Sequence, residues 1–268
     1  MFLYDAVKVH DHLYLLREYL GENLAMSMPL VIGEKRAALI DTGLGAAGEL
    51  KQYVKTFTSL PLTVLCTHGH CDHIGGAALF DEVYLSPDDD ALIANALSVK
   101  SRMQCVESAA DSKKKIDYIR AHMVPPAPLT YHKLREGDRF DLGGVVLETL
   151  ALPGHTAGSV VFLDERDGCV FAGDSVTDMP WLFLAESLPI SQYLSALERF
   201  ESRSAGLARI YSGHNTAPFA RAILADLKQA CRDLLAGVKP VPFTTFAGDA
   251  YAYSCGKVQI IYDTGRCY

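Results

Sequence analysis

At 268 residues, 49% of them apolar, the chain is long enough to bury a large core and too hydrophobic to be a disordered segment. Lys and Arg number 25 against 32 Asp and Glu, and a net charge of −7 argues against a nucleic-acid partner, which needs a basic surface. The early charge in Met1–Asp5, the lack of any membrane-length apolar run and seven scattered cysteines without a CxxC pair lead us to expect a cytoplasmic protein with reduced thiols and no membrane contact.

Residues 1–40 read as strands. Alternation holds through 7–15, where His10 and His12 share a face and read as polar residues on the solvated side of an edge strand. Residues 29–33 and 37–40 form a hairpin around Glu34-Lys35, ending in Asp41-Thr42-Gly43. An amphipathic helix is expected over 46–57, with Leu50, Tyr53, Val54 and Phe57 at helical spacing. Residues 62–66 read as a short buried strand that runs into a glycine-rich loop, and 83–85 as another strand. Ser86-Pro87-Asp88 is a helix opening, and 88–122 reads as a helical insert over one edge of the core, closed by Pro125-Pro126-Ala127-Pro128. Lys113-Lys114-Lys115, inside it, reads as a solvated helix face.

Strands resume at 145–150 and in a hairpin of 160–163 with 169–172, turned by Asp167-Gly168. A loop carrying Trp181 and Phe183 follows; it could wall a pocket or pack in the core. Helices are expected at 191–203 and 218–236, a strand at 209–211, and a last hairpin over 251–262 turning at Cys255-Gly256. With no linker and no repeat, residues 1–268 read as one domain.

Against this background stands Thr67-His68-Gly69-His70-Cys71-Asp72-His73-Ile74-Gly75-Gly76, with four potential His and Asp ligands within six residues. Imidazole and carboxylate suit a zinc-like divalent ion. In a strand His68 and His70 would share a face while Asp72 and His73 would point apart, so the chain must turn there for the four to converge. Cys71, inside the motif, reads as an inert thiol. Other apolar strands also end in Asp or His beside a small residue, at Asp41, His155, Asp174 and His214. Ligand sites in open sheets gather beyond such strand ends.

The motif and the ordered set after it resemble the metallo-β-lactamase superfamily over nearly the whole chain. The resemblance implies an α/β fold, a four-layer αβ/βα sandwich with metals at one edge. It implies two divalent ions, zinc first, with iron or manganese as alternatives. Matched position by position, His68, His70 and His155 would hold the first ion, Asp72, His73 and His214 the second, and Asp174 both. Asp41 would stand behind the ligands and orient them, and Asp72 and Asp41 are the carboxylates the resemblance assigns to catalysis. Two ions about 3.5–4 Å apart can share a water and lower its pKa towards neutrality. A hydrolase of a small ester, thioester, lactone or related bond is therefore expected, acting on a small-molecule substrate. An iron-dependent redox enzyme or a phosphodiesterase remains the alternative. Flavin-linked diiron relatives typically carry Glu where this chain has His70, and glyoxalase-II-like thioesterases usually append a helical domain.

Overall fold

A computed structural model describes residues 3–21 and 24–268. The first sheet has seven strands in chain order: β1 (Tyr4–His10), β2 (Leu13–Gly21), β3 (Leu24–Ile32), β4 (Ala37–Ile40), β5 (Leu62–Leu65), β6 (Val83–Leu85) and β7 (His132–Lys133). β1 to β4 are antiparallel neighbours, and β4 to β7 are parallel. The second sheet contains β8 (Arg139–Asp141), β9 (Val146–Ala151), β10 (Val160–Asp164), β11 (Cys169–Gly173), β13 (Arg209–Ser212) and β14 (Phe219–Ala220), in the order β14-β13-β11-β10-β9-β8. A third sheet, not anticipated from the sequence, joins β12 (Trp181–Leu182) to β17 (Val258–Tyr262), β16 (Gly248–Cys255) and β15 (Val241–Thr245).

The helices are α1 (Leu50–Lys55), α2 (Cys71–Ile74), α3 (Asp90–Ala96), α4 (Val99–Ala109), α5 (Lys113–His122), α6 (Ile190–Arg203) and α7 (Ile223–Leu235). Strand alternation sorts the apolar residues into layers. In β4, Leu39 packs with Leu50, Val54 and Val106 on the helical side, while Ala38 and Ile40 pack with Phe162 and Phe171 of the second sheet. In β11, Phe171 faces that shared interior, and Val170 and Ala172 face Tyr193, Phe200 and Leu227 of α6 and α7. Helices, sheet, sheet and helices thus form the expected αβ/βα sandwich, with the third sheet closing one side.

Several expectations need correction. The 7–15 stretch is two strands, because the chain turns at Asp11-His12. His12 is buried rather than solvated: its Nε2 lies 3.1 Å from Asp167 Oδ2 and 3.5 Å from Asp164 Oδ2. The helix expected over 46–57 is confined to α1. The residues before it form an irregular loop with Gly43 and Gly45 at φ of +63° and +65°, a conformation only glycine adopts freely. Residues 88–122, expected to be mostly helical, are helical in three pieces, restarted where Ser98 and Ser112 accept hydrogen bonds from the backbone of Ser101 and Lys115. The stretch expected to be helical from 218 opens instead with β14, and α7 starts at Ile223.

Candidate metal centre

β4, β5, β11 and β13 are parallel along their sheets, and their carboxyl ends carry Asp41, the 68–73 motif, Asp174 and His214. The turn that the motif requires is α2, a single helical turn starting directly after His70. His155 arrives from the loop after β9. One atom from each of His68, His70 and His155 falls within a common 4.8 Å, and the same holds for Asp72, His73 and His214, and for His68, His73 and Asp174. Every one of these side chains therefore meets its neighbours at one pole of the sandwich.

In four of the five imidazoles the outward nitrogen is hydrogen-bonded and so decides which nitrogen faces the cluster; His214 Nδ1 is buried without a partner. His73 Nδ1 donates to Asp41 Oδ2 at 2.7 Å, so His73 Nε2 is the nitrogen that faces inward, 3.5 Å from Asp174 Oδ1. His70 Nε2 donates to Glu186 Oε1 at 2.7 Å, and His155 Nδ1 to the Trp181 carbonyl at 2.7 Å. Thr67 Oγ1 donates to Asp41 Oδ2 at 2.8 Å, which leaves it to accept from His68 Nδ1 at 3.1 Å. The lone pairs of His68 Nε2, His70 Nδ1 and His155 Nε2 consequently converge, with 3.1 Å between the first two and 2.8 Å between the last two. Bare lone pairs that close repel unless a cation lies among them. His73 Nε2 and Asp174 Oδ1 are likewise buried with no hydrogen-bond partner. This donor set fits a divalent ion.

The charges divide in the same way. Burial, reinforced by the neighbouring rings, drives His68 well below the usual imidazole range, and burial together with His70 takes His155 down to about 4. At His73 and His214 burial acts downwards too, but it is outweighed. Asp174, with Asp41 and Asp72, holds His73 well above the usual range, and Asp174 and Asp72 lift His214 to about 9. Burial of Asp174 is in turn outweighed by His214 and His73, which hold its carboxyl well below the usual carboxylate range.

Three carboxylates behind the cluster escaped the sequence reading of the site. Glu186 holds His70, as above. Asp89, buried, accepts from Gly69 N, Thr156 Oγ1 and Gly158 N, each at 2.8 Å, and so straps the His70 loop to the His155 loop. Glu18, also buried, accepts from Leu44 N at 2.6 Å and Ala46 N at 2.9 Å and shapes the loop after Asp41. Asp41 is the one non-glycine at positive φ among the described residues, at 61°, and its carboxylate also accepts from Thr67 N at 2.7 Å. Cys71 is buried with its Sγ 3.4 Å from Cys105 Sγ on α4. His122 and His10 lie outside all of these groups.

A cavity of about 550 Å³ opens over the cluster, lined by His70, Asp72, His155, Asp174 and His214. Its other walls come from α3 and α4, the Trp181 loop and the β15–β16 turn. Trp181 is half-buried and does both things the sequence left open, lining this cavity and packing against Phe183 and Phe246.

Comparison with known proteins agrees with this geometry. Acyl-coenzyme A thioesterase MBLAC2 of Homo sapiens is 30% identical over 210 residues, spanning 69% of this chain and 71% of that protein. The Gallus gallus protein of the same name is 27% identical over 196 residues, spanning 69% and 70%. The probable metallo-hydrolase YqgX of Bacillus subtilis is 31% identical over 150 residues, spanning 54% and 63%. Among solved structures, a metallo-beta-lactamase family protein from Thermus thermophilus superposes with a TM-score of 0.63 at 25% identity, covering 87% of this chain and 85% of that one. A metallo-beta-lactamase from Pontibacter korlensis gives 0.62 at 18% identity, covering 84% and 97%. The sequence description of the metallo-beta-lactamase superfamily matches residues 27–214, the span from β3 to the last histidine of the cluster, and the chain belongs to that superfamily of metal-binding hydrolases.

Proposed function

We propose that the chain is a dinuclear metal-dependent hydrolase of a small acyl compound, an ester, thioester or lactone, with zinc the expected metal and iron or manganese the alternatives. His68, His70 and His155 would hold one ion, Asp72, His73 and His214 the other, and Asp174 both. The observation that carries this reading is the set of inward lone pairs, each aimed by an outward hydrogen bond, beside the unpartnered His73 Nε2 and Asp174 Oδ1. When bound, two divalent ions would polarise a carbonyl oxygen and make a shared water acidic enough to act as nucleophile near neutral pH.

The chain's own residues do the rest. Asp41, Glu186, Thr67 and the Trp181 carbonyl keep four imidazoles in the tautomer that can bind. Asp72, on the cavity wall with its Oδ2 3.4 Å from His214 Nε2, is the carboxylate we assign to taking the proton released as water adds. Among the described residues no Lys or Arg lines the cavity to meet a phosphoryl anion, which favours a neutral acyl carbonyl over a phosphodiester. The relatives named acyl-coenzyme A thioesterases support the thioester among these bonds.

The test is a substrate panel of ester, thioester, lactone and phosphodiester compounds on zinc-loaded protein. Turnover of an acyl substrate that is abolished by chelator and restored by zinc is expected. Turnover confined to phosphodiesters, or oxygen consumption by an iron-loaded form in place of hydrolysis, would overturn the reading.

A further inference from the structure

The cavity is metal-lined at its floor, but its upper walls are apolar and come from elements the ligand motif does not specify. One side is Leu92 and Ala96 of α3. The other is Trp181, whose ring centroid lies 5.4 Å from that of Phe246, in the turn between β15 and β16. Met179 and Phe246 are two of the few large apolar side chains left exposed among the described residues, at 43% and 46%, and both line this cavity. Exposed apolar surface gathered at one mouth marks a surface that expects an apolar ligand.

Two hydrogen bonds fix this wall relative to the chemistry. The Trp181 carbonyl accepts from His155 Nδ1 at 2.7 Å, so the aromatic wall starts at a residue that touches the cluster. Gln104 of α4 donates from Nε2 to the Phe246 carbonyl at 3.2 Å, tying the β15–β16 turn to the helices across the cavity. The turn lies beyond residues 27–214, which match the superfamily, so the Phe246 side of this wall is added by a segment outside the matched span, while Leu92, Met179 and Trp181 lie within it.

We propose that Leu92, Met179, Trp181 and Phe246 form a subsite for the unbranched apolar acyl chain of the substrate, with Phe246 setting chain-length preference. The proposal rests on the acyl-hydrolase reading above. An acyl carbonyl at the cluster has its chain beside Trp181, and each further methylene transfers apolar surface from water to the Trp181–Phe246 wall. A short acyl group gains nothing from that wall.

Trp181 is the only tryptophan in the chain, so its fluorescence reports the subsite directly. Decanoate added to metal-free protein should change Trp181 emission saturably, while acetate at equal concentration leaves it unchanged. In zinc-loaded protein, kcat/KM for acyl thioesters should rise from acetyl to decanoyl. Phe246→Ala, at an exposed turn position with little bearing on folding, should cut the decanoyl-to-acetyl ratio at least about tenfold, chiefly through KM, and weaken decanoate binding similarly. Equal responses to acetate and decanoate, no fluorescence response to either, or an unchanged ratio in Phe246→Ala would overturn the subsite. A protein that binds decanoate at Trp181 yet hydrolyses no acyl compound would keep the subsite and sink the hydrolase reading instead.

Discussion

The residue scale explains why the imidazoles converge. In His68, His70, His73 and His155 the outward nitrogen is engaged and the other faces the cluster, and Glu186 does this for His70, whereas His214 Nδ1 is buried without a partner. Glu186→Ala should therefore leave the fold intact and weaken zinc binding roughly 10–100-fold, the cost typical of removing a carboxylate behind a metal-binding histidine. Competition with a chromophoric chelator measures it, and an unchanged affinity would remove Glu186 from the site. The proposed ligands were legible because four of them sit within six residues and the others follow strand ends. Glu186 was not, since it lies 116 residues from His70 in a loop with no periodicity or spacing to mark it. Protonation adds a second expectation. Asp174 and Asp72 raise His214 to about 9, so in metal-free protein this imidazolium stabilises the fold fully below its unfolded value near 6.5, and that contribution is lost as pH rises through about 9. Ion binding must displace the proton, so apparent zinc affinity should climb between pH 6.5 and 9 with net proton release, read by calorimetry in buffers of different ionisation enthalpy. A flat profile over that interval would contradict the assignment of His214.

At the scale of elements, local signals gave position more reliably than length. Ser86 was read correctly as a helix opening and the stretch after it as mostly helical, but the helix breaks within it were not located. The breaks come from Ser98 and Ser112, whose side chains cap new helices, a role that a polar residue inside a helical pattern does not advertise. The strand pattern over 7–15 hid the turn at Asp11-His12 because alternation continued across it. What distinguishes His12 is a tertiary contact, the Asp164 and Asp167 carboxylates at the start of the β10–β11 turn. This turn lies at the opposite end of β11 from Asp174. His12→Ala should thus cost about 3 kcal/mol by stranding the buried Asp164, while turnover per folded molecule is unchanged; urea unfolding alongside kcat separates the two. Asp89 is the converse case, since it lies in the helix opening but serves the site. Asp89→Ala strands the buried N–H groups of Gly69 and Gly158, the Thr156 hydroxyl keeping Ser159 Oγ at 2.8 Å, and should lower stability by about 3 kcal/mol, roughly 6–12 °C in Tm, with weakened zinc binding as the two loops part. A variant with wild-type Tm and wild-type affinity would show that the strap is dispensable.

For the whole molecule, the individual strands and helices were legible from their patterns, but the α/β sandwich was expected only through the family resemblance of the ligand motif; the structure shows its layers in β4 and β11, where successive side chains face helices and the opposite sheet. The third sheet was not legible. Its β12 has two residues, and its pairing with β17 joins Trp181 to Ile261, a contact that no local pattern encodes. That pairing brings the C-terminal strands beside the cavity, and so the same long-range contact that the sequence concealed also shapes the cavity wall. The central claim, a pair of ions shared through Asp174, reduces to one measurement. Metal-depleted protein titrated with zinc should recover acyl hydrolysis fully at two equivalents per chain, by elemental analysis after gel filtration, and Asp174→Ala should lose bound metal and turnover together. Full activity at one equivalent in excess zinc, or an Asp174→Ala variant with normal stoichiometry and turnover, would contradict it.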